Sequence, residues 1–184
     1  MNKNMSITDI LVRFDEITEH YARELDKYSM EELRRQPAED EWSLGQMYLH
    51  LAHSALDMQL RHAEQCMEPG ASEGNGEKTE AGQSVFEQGS FPPVRIRVPA
   101  GAQYTPPQPE SKEQLAAKLE EARRRMHEIG ASLQDAAPQR LQQTAAHPAF
   151  GALNAAEWFA MPEMHYRHHL LQKERLDAFI HPAS

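Results

Sequence analysis

With a single cysteine, Cys66, this chain of 184 residues cannot close an internal disulfide. Its opening stretch, MNKNMSITDI, lacks the apolar core of a secretion signal, so a reducing cytoplasm is the expected compartment. No run of apolar residues is long enough to cross a bilayer, and no membrane partner is expected. Positive charge is in deficit. Lys and Arg number 19 against 28 Asp and Glu, and the net charge of -9 repels phosphate backbones at long range, which argues against nucleic acid as a partner. The one basic run, Arg123-Arg124-Arg125, follows Glu120-Glu121 on a helical pattern and reads as a solvated face. Also missing are an internal repeat, a glycine-rich phosphate loop between strand and helix, and a serine in the elbow that Ser-His-Asp chemistry needs.

What is there has a globular balance, with 40% hydrophobic and 26% charged residues, and no composition break divides it. A single domain over residues 1–184 is expected. Four stretches carry helical periodicity. The first has Ile7, Ile10, Leu11, Phe14, Ile17, Tyr21 and Leu25 on one stripe, with Ser6 and Asp9 marking its start. The second opens at Ser43, where Gln46 completes an S-x-x-Q capping box, and runs to about Met67, before Pro69-Gly70. The third starts at Ser111 with Gln114 in the same relation. Its seam of Leu115, Leu119, Ala122, Met126, Ile129 and Leu133 ends before Pro138. The fourth is capped by Asn154 with Glu157, and carries Trp158, Met161, His165, His169, Gln172, Leu176 and Phe179. Two histidines therefore occupy seam positions that the other helices give to Leu or Ile.

Helices two and three are joined by the segment 68–110, rich in Gly, Ser, Glu and Pro at its start and in Pro at its end. Connections this long inside a domain are functional loops, crossovers or locally disordered. Val94-Arg95-Ile96-Arg97-Val98 alternates like a strand, but Pro93 and Pro99 confine it to an edge or an extended crossing. Residues 70–82 are expected to be mobile.

His165 and His169 stand four apart, which stacks their side chains one turn over the other, where they can grip a single ion. In a chain with 10 histidines that spacing alone favours ordinary surface or hydrogen-bonded core histidines over a metal site. The seam position adds weight. An imidazole facing a bundle interior must satisfy its nitrogens, and a metal shared between helices is one way to do so. His168 lies about 100° from His169 and about 60° from His165 around the helix, off the stripe, and reads as surface or rim. The facing helix offers His50, His53 and His62. Met47, Leu51, Ser54 and Met58 place His50 on the inward stripe, His62 falls near the helix end, and His53 is the alternative.

Taken in order, Trp42-Ser43 with His50-Leu51, then His147-Pro148-Ala149-Phe150-Gly151, then Glu157-Trp158, then His165-x-x-x-His169-x-x-Gln172 resemble the DinB/YfiT-like superfamily over nearly the whole chain. The resemblance implies an all-α four-helix bundle, up-up-down-down, with the 68–110 segment as the long crossover between helices 2 and 3. It implies a divalent metal held by His50, His165 and His169. It further implies a homodimer and, for some members, transferase or isomerase chemistry on small molecules with a low-molecular-weight thiol such as bacillithiol, mycothiol or glutathione.

Three neutral imidazoles would leave an ion its Lewis acidity and an open position, whereas a closed structural site has four protein ligands. Such a site lowers the pKa of bound water or holds a thiol as thiolate, which suits transfer or hydrolysis. Imidazole suits Zn, Ni, Fe and Mn, with Zn or Ni the leading expectations. The expected function is a metal-dependent enzyme of the thiol S-transferase or hydrolase type. The alternative is a non-catalytic, stress-related metal-binding protein in which the ion staples helices. Gln172 either bonds a ligand or bridges helices, and His147 either lines the site mouth or serves an H-P turn. Trp42 and Trp158 read as core anchors, and Cys66 as structural. Pro162, one turn before His165, predicts a kink on the N-terminal side of the histidine pair.

Overall fold

The computed structural model describes residues 5–69, 76–94 and 105–182. Ser6 accepts from the Asp9 N–H while the Asp9 carboxylate accepts from the Ser6 N–H, and this reciprocal cap opens α1, Ile7–Glu24. A 3-10 turn, Leu25–Lys27, leads to the short α2, Met30–Arg34, capped in the same way by Ser29 and Glu32. Ser43 and Gln46 form the box that opens α3, Leu44–His53. The helix then widens into a π-helical segment, Ser54–Gln59, before resuming as α4, Leu60–Met67. The second periodic stretch is thus one helical rod with a π interruption.

Beyond the crossover comes α6, Lys112–Asp135, and the α5 helix within the crossover spans Glu80–Gln88. Here the Ser111 cap holds the Gln114 N–H, but the Gln114 side chain accepts from the Glu110 N–H, so the reciprocal box is displaced by one residue. A 3-10 turn, Arg140–Gln142, is followed by a hairpin of β1, Thr144–His147, and β2, Gly151–Asn154, antiparallel with His147 opposite Gly151. Asn154 and Glu157 then cap α7, Ala155–His168, and α8 follows as Leu170–Ile180.

The fold is mostly helical, with this one small two-stranded sheet. Helix α1 packs against α6 and α7, α4 against α7, and α3 against α6, with α8 beside α3. Phe14, Tyr21, Tyr48, Trp158, Phe159 and Tyr166 are all buried in the core between them. Burying such side chains supplies roughly 1.5–3 kcal/mol each. Two of the hydroxyls are tied: that of Tyr21 donates to the Tyr166 carbonyl at 2.8 Å and that of Tyr48 to the Tyr21 carbonyl at 2.9 Å, while the Tyr166 hydroxyl is buried without a hydrogen-bond partner among the described residues. Among the described residues no helix is long and apolar enough to cross a membrane.

The crossover differs from its expected character. Of residues 70–82, those from 76 onward are placed, with Lys78 bridging to Gly151 and Thr79 capping α5. The Thr79 hydroxyl donates to the Ala149 carbonyl at 2.8 Å, and the Thr79 N–H to the Phe150 carbonyl at 3.0 Å. These bonds fix the segment to the hairpin loop, which sequence periodicity does not reveal. Residues 70–75 lie outside the described residues, as does the expected strand at 94–98 beyond Val94.

Pro162 also differs from expectation, because α7 runs through it without a break. The interruption falls instead at His169, whose ψ of -6° flattens one turn between α7 and α8. The i to i+4 ladder survives there: the His169 N–H bonds the His165 carbonyl at 3.1 Å, and the Lys173 N–H bonds the His169 carbonyl at 2.9 Å. The spacing of the histidine pair is intact.

The hairpin turns on Gly151, at φ +77°. A Cβ there would sit 2.4 Å from the Glu77 carbonyl oxygen. Gly151→Ala therefore meets both left-handed strain and a backbone clash, and is expected to destabilise by about 1–2 kcal/mol. Thermal melts followed by circular dichroism test this, and an unchanged midpoint would contradict it.

Candidate metal centre

Helix α3, helix α7 and the turn between α7 and α8 deliver three imidazoles to one point. One ring nitrogen from each of His50, His165 and His169 lies within 4.8 Å of the others. His165 is central: its Nε2 stands 3.1 Å from Nε2 of His50 and 3.1 Å from Nε2 of His169. Two nitrogens bound to one ion at about 2.0–2.1 Å are separated by about 2.9 Å at a right angle and about 3.3 Å at the tetrahedral angle. Both separations from His165 lie between these, and all three nitrogens stand within 4.8 Å of one another, so the set could hold a single divalent ion.

Protonation agrees with this fit. Burial pushes His50 down to about 3, with His169 and His53 adding to the effect. Burial likewise lowers His169 to about 4, against the opposing effect of the hydrogen bond it donates to Gln172. His165 is held well below the ordinary histidine range by burial first and then by His169, His50 and His168. All three rings are neutral at pH 7 and carry lone pairs, the form a ligand requires.

Neighbouring side chains set the tautomers. Oε1 of Gln172 lies 2.7 Å from Nδ1 of His169, so Nδ1–H donates to it and the Nε2 lone pair is left for the cluster. Nδ1 of His147 accepts two backbone N–H bonds, from Ala149 and Phe150, both at 3.1 Å. Its proton is therefore on Nε2, and its ring stacks on Phe150 at 4.4 Å. His147 serves the turn and also lines the cavity.

That cavity, of about 660 Å³, has the three histidines in its wall together with Trp42, Met58, Phe91, Phe150 and Met161. Phe91, from the crossover, stacks on Phe150 with ring centres 5.7 Å apart and stands 6.1 Å from the His165 ring. The crossover is held against α7 by Arg167, whose guanidinium donates to the Gly89 carbonyl at 2.8 Å. Trp42 is not a core anchor but lines the cavity, its ring 4.8 Å from that of His50. Trp158 is fully buried, with its Nε1–H on the Ala145 carbonyl at 3.3 Å.

The remaining histidines fall elsewhere. His53 is not among the clustered rings, and His62 donates from Nδ1 to the Met58 carbonyl at 2.7 Å and stacks on Trp158. His168 lines the cavity beside the cluster, with its ring 5.6 Å from that of His169. Cys66 is buried, and burial raises its thiol to about 11, which keeps it protonated. The basic run is spent on carboxylates: Arg123 on Asp15 at 3.2 Å, Arg124 on Glu128, and Arg125 on Glu64 at 2.6 Å.

Periodicity could not identify Phe91 or Phe150, which reach the cavity from irregular segments, nor Gln59, which the π-helical segment carries there. A family model described as the DinB superfamily matches residues 13–172, a span that includes all three clustered histidines. A comparison with curated proteins gives no match.

Proposed function

The chain belongs to the DinB superfamily, and from that premise we propose that it is a metal-dependent enzyme of the thiol S-transferase or hydrolase type acting on a small molecule. His50, His165 and His169 would hold a divalent ion, Zn or Ni foremost, with Fe or Mn also suited to imidazole. The observation that carries this reading is the convergence of three neutral rings in the wall of an open cavity. A bound ion supplies Lewis acidity there, acidifying water or a thiol such as bacillithiol.

The chain's own residues do the rest. Burial keeps the rings neutral, Gln172 holds the Nδ1 proton of His169, and Phe91, Phe150 and Met161 exclude bulk water from the cavity wall. His147, with its proton on Nε2, offers a hydrogen-bond donor on the same wall. An up-up-down-down order of the bundle helices belongs to the same proposal, with the crossover shaping the mouth of the cavity. So do the cytoplasmic location and the homodimer.

A second reading keeps the ion without catalysis, as a staple between α3 and α7, since the cluster joins these two elements. The experiment is metal analysis of untagged protein made in metal-replete medium, followed by a screen of low-molecular-weight thiols with a generic electrophile. About one ion per chain and metal-dependent thiol consumption are expected. Chelation that lowers the melting temperature while no thiol or electrophile is consumed would favour the staple. Absence of metal, with failed reconstitution, would end both readings.

A further inference from the structure

In a straight α-helix, residues nine apart point in directions about 180° from each other. Gln59, nine residues after His50, would then face away from the cluster. It does not, because Ser54–Gln59 is π-helical. Each residue of the wider turn advances by less than 100°, and the segment rotates Gln59 back toward the cavity that His50 lines.

The Gln59 side chain arrives there only 2% exposed. Its Nε2 lies 3.5 Å from Nδ1 of His165, while its Oε1 is buried without a hydrogen-bond partner among the described residues. Burial strips that oxygen of water without supplying a donor in return.

The chemistry of His165 decides how this amide is used. For Nε2 of His165 to present a lone pair between His50 and His169, the ring proton must sit on Nδ1. Nδ1–H is a donor, and an amide NH2 group facing it would set donor against donor. Amide oxygen and nitrogen have nearly the same shape, so a half-turn about the terminal torsion exchanges them in place. The oxygen then accepts from Nδ1–H, and the NH2 group takes the oxygen's former position. His169 already has this arrangement with Gln172.

We propose that Gln59 is a positioning residue of the metal centre: its amide oxygen accepts from Nδ1–H of His165 and aims the Nε2 lone pair of that ring at the ion. The π-helical segment is the device that brings it within reach. This inference rests on the reading of the three histidines as a metal centre.

The test compares wild type, Gln59→Leu and Gln59→Glu by Zn2+ titration in competition with a chromophoric chelator, with circular dichroism melts of the metal-free proteins. Gln59→Leu is expected to bind Zn2+ about 10–100-fold more weakly. Gln59→Glu is expected to bind at least as tightly as wild type, because a carboxylate accepts the same bond. Long-range 15N NMR of the Zn-loaded wild type should show His165 with a protected proton on Nδ1, and Gln59→Leu should lose that protection. If wild type and Gln59→Leu bind Zn2+ equally, the inference fails while the metal reading stands. If wild type takes no metal, both fall. Should Gln59→Leu not fold, Gln59→Met and the wild-type spectrum decide, and a His165 proton on Nε2 would overturn the proposal.

Discussion

His165→Ala is expected to abolish metal retention while leaving the helical fold in place. Its Nε2 is the nitrogen that stands 3.1 Å from both of the others, so its removal leaves His50 and His169 without the ring between them. A site of only three neutral ligands has no spare donor to compensate. Structural zinc sites with four ligands are worth about 10–16 kcal/mol, so one ligand accounts for roughly 2.5–4 kcal/mol, or a weakening of about 10²–10³-fold. Folding should change little by comparison, since the core aromatics are supplied by other positions of α1, α3 and α7. Elemental analysis after gel filtration against a micromolar chelator should find about one ion per chain in wild type and almost none in His165→Ala. His168→Ala is the matched control and should keep its ion, because His168 lies outside the cluster. Native affinity in His165→Ala would sink the assignment of the ion to these rings.

Why so much of this was readable in the sequence, and the rest was not, follows from the range of the interactions involved. Ser6 with Asp9, Ser43 with Gln46, and Asn154 with Glu157 are contacts across three residues, and each cap stands where the residue pattern puts it. The i to i+4 relation of His165 and His169 is equally local, and the inward stripe of α3 was enough to prefer His50 over His53. Helix α2 carries the same kind of local signal in Ser29 and Glu32, but it is too short for a periodic stripe to mark it, and the α5 helix within the crossover and the hairpin carry no reciprocal box. The hairpin depends on Gly151 and on bonds to Thr79 from a segment far away in sequence. Gln59 is the sharpest case. A reading at 100° per residue puts it on the wrong face, and only the π-helical segment brings it round. Pro162 is the expected breaker, but α7 absorbs it and yields at His169 instead.

Away from the cavity, Lys173→Met is expected to cost more stability than any surface charge change. The Lys173 side chain is 4% exposed and its ammonium uses all three donors, on Glu24 at 3.0 Å, Tyr28 at 3.0 Å and Asp177 at 2.7 Å. Tyr28 in turn donates to Asp177, which closes the network and ties the end of α1 to α8. Methionine fills the same space without the charge, so the substitution isolates the loss of the cation from the loss of packing. Removing one member of a buried ion pair costs about 3–5 kcal/mol. Here the Asp177 side chain is 34% exposed and that of Glu24 15%, so water compensates in part and about 2–3 kcal/mol is expected. For a domain of this size that corresponds to a drop of about 5–10 °C in melting temperature.

The same network sets an acid limit. Lys27 first, and then Lys173, hold Glu24 down to about 2 against the opposing effect of burial. A carboxylate whose pKa is lower in the folded state stabilises the fold fully above its unfolded value, near 4.5. That contribution drains away as pH falls through about 2. Lys173 is raised in the folded state, by Asp177, Tyr28 and Glu24 acting against burial. Its contribution is complete below the ordinary lysine range and is lost only at strongly alkaline pH. Urea unfolding between pH 7 and 2 should therefore show wild-type stability falling below about pH 4.5, and Lys173→Met should reduce that slope. Parallel pH profiles for the two proteins would show that the buried ammonium does not govern Glu24.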